Sequence, residues 1–256
     1  MGHRRVWSDY LKNKKNKNHL KIKLSLINYW NILRLKNVHA GEQCIVVLGG
    51  PSVNETNFDL FADHPFVMGV NGAYLKRNNF KYYFCSSLNF YEPNKKDIQK
   101  VKADLLFFSS QIPFKLSRKI IYLLLDTKRP LWKQSETDLE FNLFKNLPWG
   151  PTVLLDLVIP VSLWMGFSEI ILVGADYSTT AFKRFYDDQE DGPQRIRKTD
   201  NESEMAKAHL SMNKLSKYLK NNKKAVKIYN CSPLSELTQF PKPPLEDVIN
   251  KHTNRP

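Results

Sequence analysis

Short runs of hydrophobic residues recur along the chain from residue 43 onward, and each is followed by glycine or polar residues. The clearest runs are QCIVVLG (43–49), PFVMGV (65–70), KYYFCS (81–86), DLLFFSS (104–110), KIIYLLL (119–125), EIILVGAD (169–176) and AVKIYN (225–230). Runs of this length without polar alternation are typical of strands that are buried on both faces of a parallel sheet. The pattern therefore predicts a parallel sheet that is covered on both sides.

Stretches with helical features lie between these runs. Short helices are predicted over 71–79 and 94–102, a buried helix over 152–167 and an amphipathic helix over 202–221. Pro160 must kink the 152–167 helix or mark a restart, because proline lacks the N–H that a helix interior needs. The alternation of strands and helices predicts an α/β fold with a Rossmann-like, mostly parallel, doubly wound sheet, in a single domain over residues 41–256.

The first 40 residues have a different pattern and form a basic arm. Residues 11–18 are a polar Lys/Asn run, which predicts a mobile segment, whereas 20–36 carries Ile22, Leu26, Trp30 and Leu33 at helical spacing between basic residues. A basic amphipathic helix of this kind is typical of a peripheral contact with an anionic membrane surface. The alternative is that this stripe packs on the body or on a second subunit of a homo-oligomer.

The charge is concentrated in this arm. The chain has 39 Lys and Arg residues against 25 acids, a net charge of +14, and residues 1–40 hold ten of the basic residues but one acid, Asp9. An excess of this size indicates an anionic partner. The body carries +5 and has no nucleic-acid-binding motif, so nucleic acid is not the expected partner.

Composition and cysteine spacing exclude several classes. With 42% hydrophobic and 25% charged residues, the chain is neither disordered throughout, collagen-like nor a disulfide scaffold. The most apolar stretch, 152–173, is interrupted by Asp156, Pro160, Ser162 and Glu169, so no membrane span is predicted. The three cysteines have no paired or metal-ligand spacing, which predicts buried thiols in a cytoplasmic protein.

Polar or glycine residues directly follow three of the predicted strands, where ligands bind in doubly wound sheets. At the first strand end, two glycines allow close approach of a ligand, and backbone N–H groups with the Ser52 hydroxyl predict a phosphate site. At the second, the side chain of Asn71 is positioned either to bind a base or ribose or to cap the next helix. At the third, Asp176 orients either a ligand or a neighbouring loop. The residues concerned are Gly49, Gly50, Pro51, Ser52, Asn71, Gly174 and Asp176.

Taken in order, these strand ends resemble a known bacterial domain family. VLGGPSVNETNFDLF, FVMGVNGAYL, GPTVLLDLVIPVSLWMGFSEIILVGADYS and IYNCSPLSELTQFPK resemble the 6-hydroxymethylpterin diphosphokinase-like domains of surface-polysaccharide loci. They are also similar to the glycosyltransferase family 42 sialyltransferases, which share the Gly-Pro-Ser turn, the strand-end Asn and the Gly-x-Asp strand. The resemblance covers about residues 42–245 and implies a transferase fold of the GT-A-variant type.

The resemblance also implies roles for individual residues. Gly50, Pro51 and Ser52 would line the nucleotide site, Asn71 would bond the nucleotide or the sugar, and Asp176 would approach the ribose and phosphate. Tyr177 and Tyr186 are the matches for hydroxyls that stabilise the departing phosphate, and His209 is the match for the base that removes the acceptor proton. The sialyltransferases use a CMP-activated acidic sugar and require no metal.

Two positions depart from the sialyltransferase pattern. Gly49 stands where those enzymes have Asn before Gly-Pro-Ser, which removes one side-chain contact to the donor. Cys85 and Ser86 occupy the end of the third strand, where those enzymes have Asn, so Ser86 is a substitute at best. His209 also lies inside its predicted helix rather than at its start.

The resulting prediction is a metal-independent, inverting glycosyltransferase that uses a CMP-activated acidic sugar, sialic-acid-like or Kdo-like. Its acceptor would be a glycan or lipid-linked molecule in surface-glycan or lipopolysaccharide synthesis, reached from the inner face of the cytoplasmic membrane. No cofactor is predicted beyond the donor substrate. Two alternatives remain open: an Mg-ATP-dependent diphosphokinase of the hydroxymethylpterin type, and a non-catalytic nucleotide-binding module.

Overall fold

The computed structural model describes residues 21–22, 25–179, 183–190, 192–194, 201–222 and 226–253. It contains the strands β1 (Gln43–Val47), β2 (Val67–Val70), β3 (Asn79–Cys85), β4 (Lys102–Ser109), β5 (Ile120–Leu123), β6 (Leu125–Pro130), β7 (Leu147–Trp149), β8 (Glu169–Val173) and β9 (Lys227–Asn230). Seven of them form one sheet in the order β5-β4-β3-β2-β1-β8-β9, and β6 pairs with β7 in a small second sheet. Every pair of neighbouring strands is parallel.

Helices connect the strands. They are α1 (Leu26–Arg34), α2 (Leu88–Tyr91), α3 (Lys95–Ile98), α4 (Ile159–Met165), α5 (Asn201–Asn221) and α6 (Leu245–Thr253). A π-helical turn, Leu154–Val158, runs directly into α4. Short 3₁₀ turns follow β1 (Pro51–Glu55 and Phe58–Phe61) and β2 (Asn71–Leu75), and two more lie at Leu131–Lys133 and Glu136–Asp138.

The sheet separates two hydrophobic cores, because successive side chains of a strand point to opposite faces. On one face, alternate residues such as Val46 and Leu172 pack with α1, α4 and α5. On the other face, Ile45 and Ile171 pack with α2, α3 and α6. The predicted α/β architecture, a mostly parallel doubly wound sheet of Rossmann-like type, is therefore confirmed.

The strand order reverses at β1. From β1 the chain builds outward through β2, β3, β4 and β5, and it then returns to place β8 and β9 on the other side of β1. All five residues of β1 are buried, as expected for a central strand. The carboxyl ends of β1 and β8 therefore form the crevice at which doubly wound sheets bind ligands.

Two predicted elements end earlier in the structure than in the sequence pattern. The 119–125 run leaves the large sheet after Leu123, because Leu124 instead accepts a hydrogen bond from the N–H of Leu147 and the chain continues as β6. The helix predicted over 94–102 ends at Ile98, and Lys102 pairs with Asn79 of β3 to begin β4. In both places, pairing with a distant part of the chain overrides the local pattern.

The helix predicted over 152–167 does not stop and restart at Pro160, because Val158 and Ile159 before it keep helical backbone angles. Pro160 is the second residue of α4, at the point where the hydrogen-bond pattern changes from π to α, and its missing N–H is tolerated there. The π turn comes immediately before it. Gly166 closes the helix in the left-handed conformation, with φ of 85°.

Helix α1 is bound to the body by one of its faces. Ile32 and Asn28 are buried, and the Asn28 carboxamide exchanges two hydrogen bonds with the backbone of Tyr122 in β5, at 3.0 and 2.8 Å. The opposite face, with Leu26 and Trp30, is 73% and 54% exposed. Much of the predicted 20–36 stripe therefore does not pack on the described body, although Ile22 is buried. Residues 1–20, with the predicted mobile run, lie outside the described residues.

The structure also bears on the cysteine and membrane predictions. Cys44, Cys85 and Cys231 are buried and free, as the spacing predicted. Within the described residues, we find no helix with the length and apolar character needed to cross a bilayer.

Candidate nucleotide-binding site

A cavity of about 550 Å³ opens at the carboxyl edge of the sheet, at the crevice between β1 and β8. Its walls come from the ends of β1, β2, β3 and β8, from the π turn, from the 183–186 segment and from the start of α5. Most of the site residues predicted from the sequence line it: Gly49, Gly50, Pro51, Asn71, Ser86, Gly174, Asp176, Tyr177 and Tyr186. Ser52 and His209 do not.

The turn after β1 is fixed to the end of β8. Both oxygens of the Asp176 carboxylate accept hydrogen bonds from Ser52, one from its N–H at 2.8 Å and one from its hydroxyl. The N–H of Gly50 donates to the carbonyl of Gly174 at 2.9 Å. A Cβ on Gly50 would lie 2.6 Å from that carbonyl and would overlap the Asp176 carboxylate, so this position requires glycine.

These contacts correct the predicted role of Ser52. Its hydroxyl and N–H were expected to hold a phosphate, but both donate to Asp176, and the residue is fully buried. Asp176 correspondingly orients the neighbouring turn, which was one of the two roles predicted for it. The residues of this turn that line the cavity are Gly49, Gly50 and Pro51.

Asn71 presents a polar group to the cavity. Its backbone is in the left-handed region, with φ of 49°, and its carbonyl accepts a hydrogen bond from the Tyr83 hydroxyl at 2.7 Å. Its carboxamide oxygen is buried and has no hydrogen-bond partner among the described residues. The side chain does not cap the following 3₁₀ turn. A buried acceptor of this kind is costly unless a ligand or water supplies a donor.

Tyr177 is the second residue of the cavity with an unusual backbone. Its φ is 53°, which is rare for a bulky side chain and typical of sites where the surrounding structure enforces strain. Its hydroxyl lies 3.1 Å from the Thr152 hydroxyl, and burial raises the pKa of Tyr177. Its carbonyl accepts a hydrogen bond from Nε2 of His209 at 2.9 Å.

That last contact changes the interpretation of His209. The residue predicted as the acceptor base is not part of the cavity wall, and its Nε2–H is used to hold the Tyr177 carbonyl. Glu204 and Met205 line the cavity, and His209 lies one turn after Met205 on the same side of the helix. His209 is therefore one turn too far along α5 to reach the cavity wall, and it meets the Tyr177 carbonyl instead.

Tyr186 covers the glycines of the first two strand ends. A Cβ on Gly72 would lie 2.8 Å from Cδ1 of this buried ring, so a glycine is needed there. A Cβ on Gly49 would lie 3.6 Å from Cε1, which is ordinary contact. The ring therefore fills the space beside Gly49, the position where the sialyltransferases carry Asn. The N–H of Phe185 donates to the Gly49 carbonyl at 3.0 Å and ties this segment to β1.

Two basic side chains line the cavity beside Tyr186. Arg184 is 15% exposed at its side chain and is paired with Asp187, whose Oδ2 lies 3.6 Å from its guanidinium and accepts a hydrogen bond from its backbone N–H at 2.8 Å. Lys183 is paired with Asp188. Cations next to glycine-rich strand ends make this side of the cavity suited to a phosphate or another anion.

Sequence reasoning missed the most unusual carboxyl group of the site. Asp156 lies in the π turn, lines the cavity and is 4% exposed. The N–H of Gly150 donates to its Oδ1 at 2.6 Å, and the Ser86 hydroxyl is a second hydrogen-bond partner. Burial, with the charge of Glu204 as a smaller cause, raises the pKa of Asp156 to about 8. The one available signal was an acid inside the apolar stretch TVLLDLVIP.

Ser86 accordingly lines the cavity as predicted, but its hydroxyl is engaged by Asp156. Its carbonyl accepts a hydrogen bond from the Ser109 hydroxyl, which fixes the end of β3. Among the described residues, no three His, Cys, Asp or Glu side chains are arranged to hold a metal ion.

Comparisons with known proteins give structural likeness at low identity. No family model and no curated protein matches the chain. The MAf glycosyltransferase from Magnetospirillum magneticum AMB-1 is 16% identical over 88% of this chain, with a TM-score of 0.48, and this chain spans 39% of its length.

Two further solved structures are sialyltransferases. CST-II in complex with a trisaccharide acceptor and CMP is 16% identical over 80% of this chain and 88% of its own, with a TM-score of 0.46. CstII from Campylobacter jejuni, in complex with a substrate analogue described as cytidine-5'-monophosphate, is 18% identical over 81% and 86%, with a TM-score of 0.45. These activities and ligands are those of the named proteins.

Proposed function

We propose that this protein is a glycosyltransferase that binds a nucleotide-activated sugar in the cavity between β1 and β8. The observation that carries the proposal is that three strand ends, separated by up to 127 positions in the sequence from Gly49 to Asp176, meet in one cavity. These are the strand ends on which the sequence resemblance to sialyltransferases rests.

The size and polarity of the cavity support a nucleotide as ligand. Its volume of about 550 Å³ lies within the range of small-molecule sites. The buried carboxamide oxygen of Asn71 is an acceptor, so it requires a donor such as a base amino group or a ribose hydroxyl. Trp149 and Tyr186 supply aromatic surface on the same walls.

For the donor, we favour a CMP-activated acidic sugar, sialic-acid-like or Kdo-like. Such a donor carries two negative groups, the phosphate of CMP and the carboxylate of the sugar. Lys183 and Arg184 lie beside the glycine turn, and binding such a donor would require them to exchange their partners Asp188 and Asp187 for its two anionic groups. Transfer would be a single inverting displacement without metal, with the Tyr186 hydroxyl near the leaving phosphate.

A nucleotide panel tests the proposal. We expect thermal stabilisation by CMP and CTP, not by UDP, GDP or ATP, and no effect of EDTA, because a ligand that binds the native state raises its melting temperature. Release of CMP from CMP-sugars in the presence of a glycan acceptor then tests transfer. Stabilisation by Mg-ATP alone would instead favour the diphosphokinase alternative and would contradict the proposal.

Asn71→Gly supplies a matched test of the site. Glycine keeps the left-handed backbone but removes the carboxamide, so we expect about tenfold weaker CMP binding from one lost hydrogen bond. The control is Asn37→Gly, since Asn37 has φ of 56° but lies outside the cavity. Equal CMP affinity of the two variants would contradict a nucleotide contact at Asn71.

For the acceptor, we propose a lipid-linked or surface glycan, such as one of lipopolysaccharide synthesis, met at an anionic membrane. The support is the outward face of α1, on which Leu26, Tyr29, Trp30 and Leu33 are exposed. Arg34 and Lys36 flank this face, and the arm that includes it has a net charge of +9. Exposed apolar residues with flanking cations favour an interfacial helix on anionic lipid.

Vesicle sedimentation tests this docking face. We expect full-length protein to bind phosphatidylglycerol vesicles, and the double variant Leu26→Glu/Trp30→Glu to bind at least about tenfold more weakly. Leu210→Glu is the control, because Leu210 is also exposed, at 52%, but lies on α5. Binding of all three proteins with equal affinity would contradict the role of α1.

A further inference from the structure

Two carboxylates on the wall of the cavity belong to none of the strand-end motifs. Asp156 is in the π turn before α4, and Glu204 is in the first turn of α5. Both line the cavity, and the charge of Glu204 acts on Asp156. The π turn and α5 are far apart in sequence, so the fold brings these two acids to the same cavity.

We propose that Asp156 is the catalytic base that takes the proton of the acceptor hydroxyl, and that Glu204 is a positioning residue that sets its proton affinity. This inference rests on the proposed glycosyltransferase function and deepens it by assigning a reaction step to residues of the cavity.

The other titratable groups near the site have their polar atoms engaged elsewhere. Both oxygens of Asp176 hold Ser52, and they brace the turn after β1. His209 is outside the cavity wall, with its Nε2–H on the Tyr177 carbonyl. Asp156 accepts a hydrogen bond from the Gly150 N–H at 2.6 Å and has a hydroxyl partner in Ser86. A carboxylate has about four acceptor positions, so this pair of bonds orients it and leaves room for a substrate hydroxyl.

The local backbone also favours a chemical role. A π turn adds a residue to the helical path, and such turns occur frequently at functional sites. Here it carries a buried acid to the cavity wall within an otherwise apolar segment, where Leu154, Leu155, Leu157 and Val158 are all buried. Burying a carboxyl group without a cationic partner costs stability, so its presence calls for a compensating function.

The charges that face Asp156 come from several elements. Glu204 of α5 raises its pKa, and Glu204 is itself paired with Lys207 at 3.3 Å. Tyr177, after β8, lies close enough for its own pKa to be raised by Asp156. Lys183 and Arg184 line the same cavity but are paired with Asp188 and Asp187, and burial raises the pKa of Asp156 to about 8. A base with a pKa near the working pH is efficient at proton transfer.

The proposed reaction is a single displacement at the anomeric carbon of the donor. The acceptor oxygen forms a bond to the anomeric carbon of the donor, and the bond between that carbon and the phosphate oxygen breaks. The nucleotide phosphate leaves with the bonding electron pair. The acceptor proton passes to the ionised carboxylate of Asp156, which returns it to solvent before the next turnover.

Asp156→Asn tests the base directly. The amide oxygen can still accept from Gly150, but the side chain cannot take a proton, so we expect at least a 100-fold fall in kcat with CMP affinity unchanged within about threefold. Full transfer activity of Asp156→Asn, at any pH, would overturn the proposal. Activity that requires Mg²⁺ and is abolished by EDTA would also overturn it, because the two acids would then serve a metal.

Glu204→Gln tests the positioning role through the pH profile. In the wild type, kcat should rise with pH along a limb whose midpoint is near the pKa of Asp156. Removing the neighbouring charge should move that limb to lower pH, whereas Glu202→Gln, in the same turn but exposed, should leave it in place. An unmoved limb in Glu204→Gln overturns the role of Glu204. Wild-type protein that binds CMP but transfers no sugar overturns the proposed function instead.

Discussion

Asp176 and Asp156 are two acids on one cavity, and their surroundings differ more than their burial. Each is 4% exposed. Asp176, after β8, binds both Ser52 donors and joins the ends of two central strands. Asp156, in the π turn, is held by Gly150 and Ser86 beside a second acid, and its pKa is raised to about 8. Each acid accepts hydrogen bonds from one backbone N–H and one serine hydroxyl. The difference is that the bonds to Asp176 join two strand ends, whereas those to Asp156 hold a carboxyl group that lies near Glu204 and whose pKa is raised by burial.

The two regions also differ in how tightly their backbone is constrained. At the β1–β8 turn, Gly50 has no room for a side chain, since its N–H and Cα lie against Gly174 and Asp176. At the π turn, the helix departs from regular geometry, and the residues of the turn other than Asp156 are apolar and buried. The first region is a rigid wall for a ligand, and the second presents a single polar group.

The largest effect is expected where the rigid wall is disrupted. Gly50→Ala would press a methyl group against the Gly174 carbonyl and the Asp176 carboxylate, so we expect a loss of about 3 kcal/mol in the free energy of unfolding. Gly49→Ala is the control, because its Cβ would meet Tyr186 at 3.6 Å. Urea denaturation measures both. Equal stability of the two variants would mean that the turn can relax away from Asp176.

The next largest effect is a pH-dependent change in stability at Asp156. The raised pKa of Asp156 means that the native state binds its proton more tightly than the unfolded chain does, so stability present at low pH is lost as pH rises from about 4 through about 8. The Asp156→Asn variant has no carboxyl group at this position to ionise, so its stability does not fall in this way as pH rises. We expect the stability of Asp156→Asn relative to wild type to increase by about 2 kcal/mol between pH 6.5 and pH 9. A pH-independent difference in denaturant unfolding would contradict the raised pKa.

A smaller effect is expected at Asp176. In Asp176→Asn, one of the two Ser52 donors must face an amide NH₂ group, so we expect a loss of about 1.5 kcal/mol in stability. Unlike Asp156→Asn, the variant should be destabilised at both pH 5 and pH 9. Thermal unfolding at the two pH values checks this. A variant as stable as the wild type would show that Ser52 finds other acceptors.

The smallest effect concerns His209. His209→Ala removes one donor from the Tyr177 carbonyl, which should cost about 1 kcal/mol and leave transfer within about tenfold of wild type. His209→Gln offers a side-chain N–H that can replace it, and should recover part of the stability. A 100-fold loss of transfer in a stable His209→Ala protein would restore His209 as the base and would count against Asp156.

Local sequence predicted the strands well, because buried parallel strands need continuous apolar runs and these runs are distinct. The strand ends at Gly49, Asn71 and Asp176 could also be placed, since parallel strands bring their carboxyl ends to one edge. The pairing of β6 with β7 could not, because Leu125–Pro130 and Leu147–Trp149 have no shared pattern and meet through tertiary contacts.

The roles of individual site residues could not be predicted from the sequence as well as the strands could. Whether Ser52 faces a ligand or Asp176 depends on the approach of two strand ends, which no local pattern encodes. The direction of His209 depends on the rotation of α5, and the position of Asp156 depends on one additional residue in a helical turn. Tertiary geometry decides each of these, and the motif identifies the edge of the sheet but not the role of each side chain.

The position of β1 has a consequence for synthesis of the protein. When the ribosome has released residues up to Leu123, β1 through β5 can pair, but the free edge of β1, with five strongly buried residues, has no partner. Its partner β8 begins 46 residues later, at Glu169. An unpaired hydrophobic edge attracts other chains. We therefore expect the nascent protein to be prone to aggregation until β8 pairs with β1, and the cavity between the two strands to form at the same step.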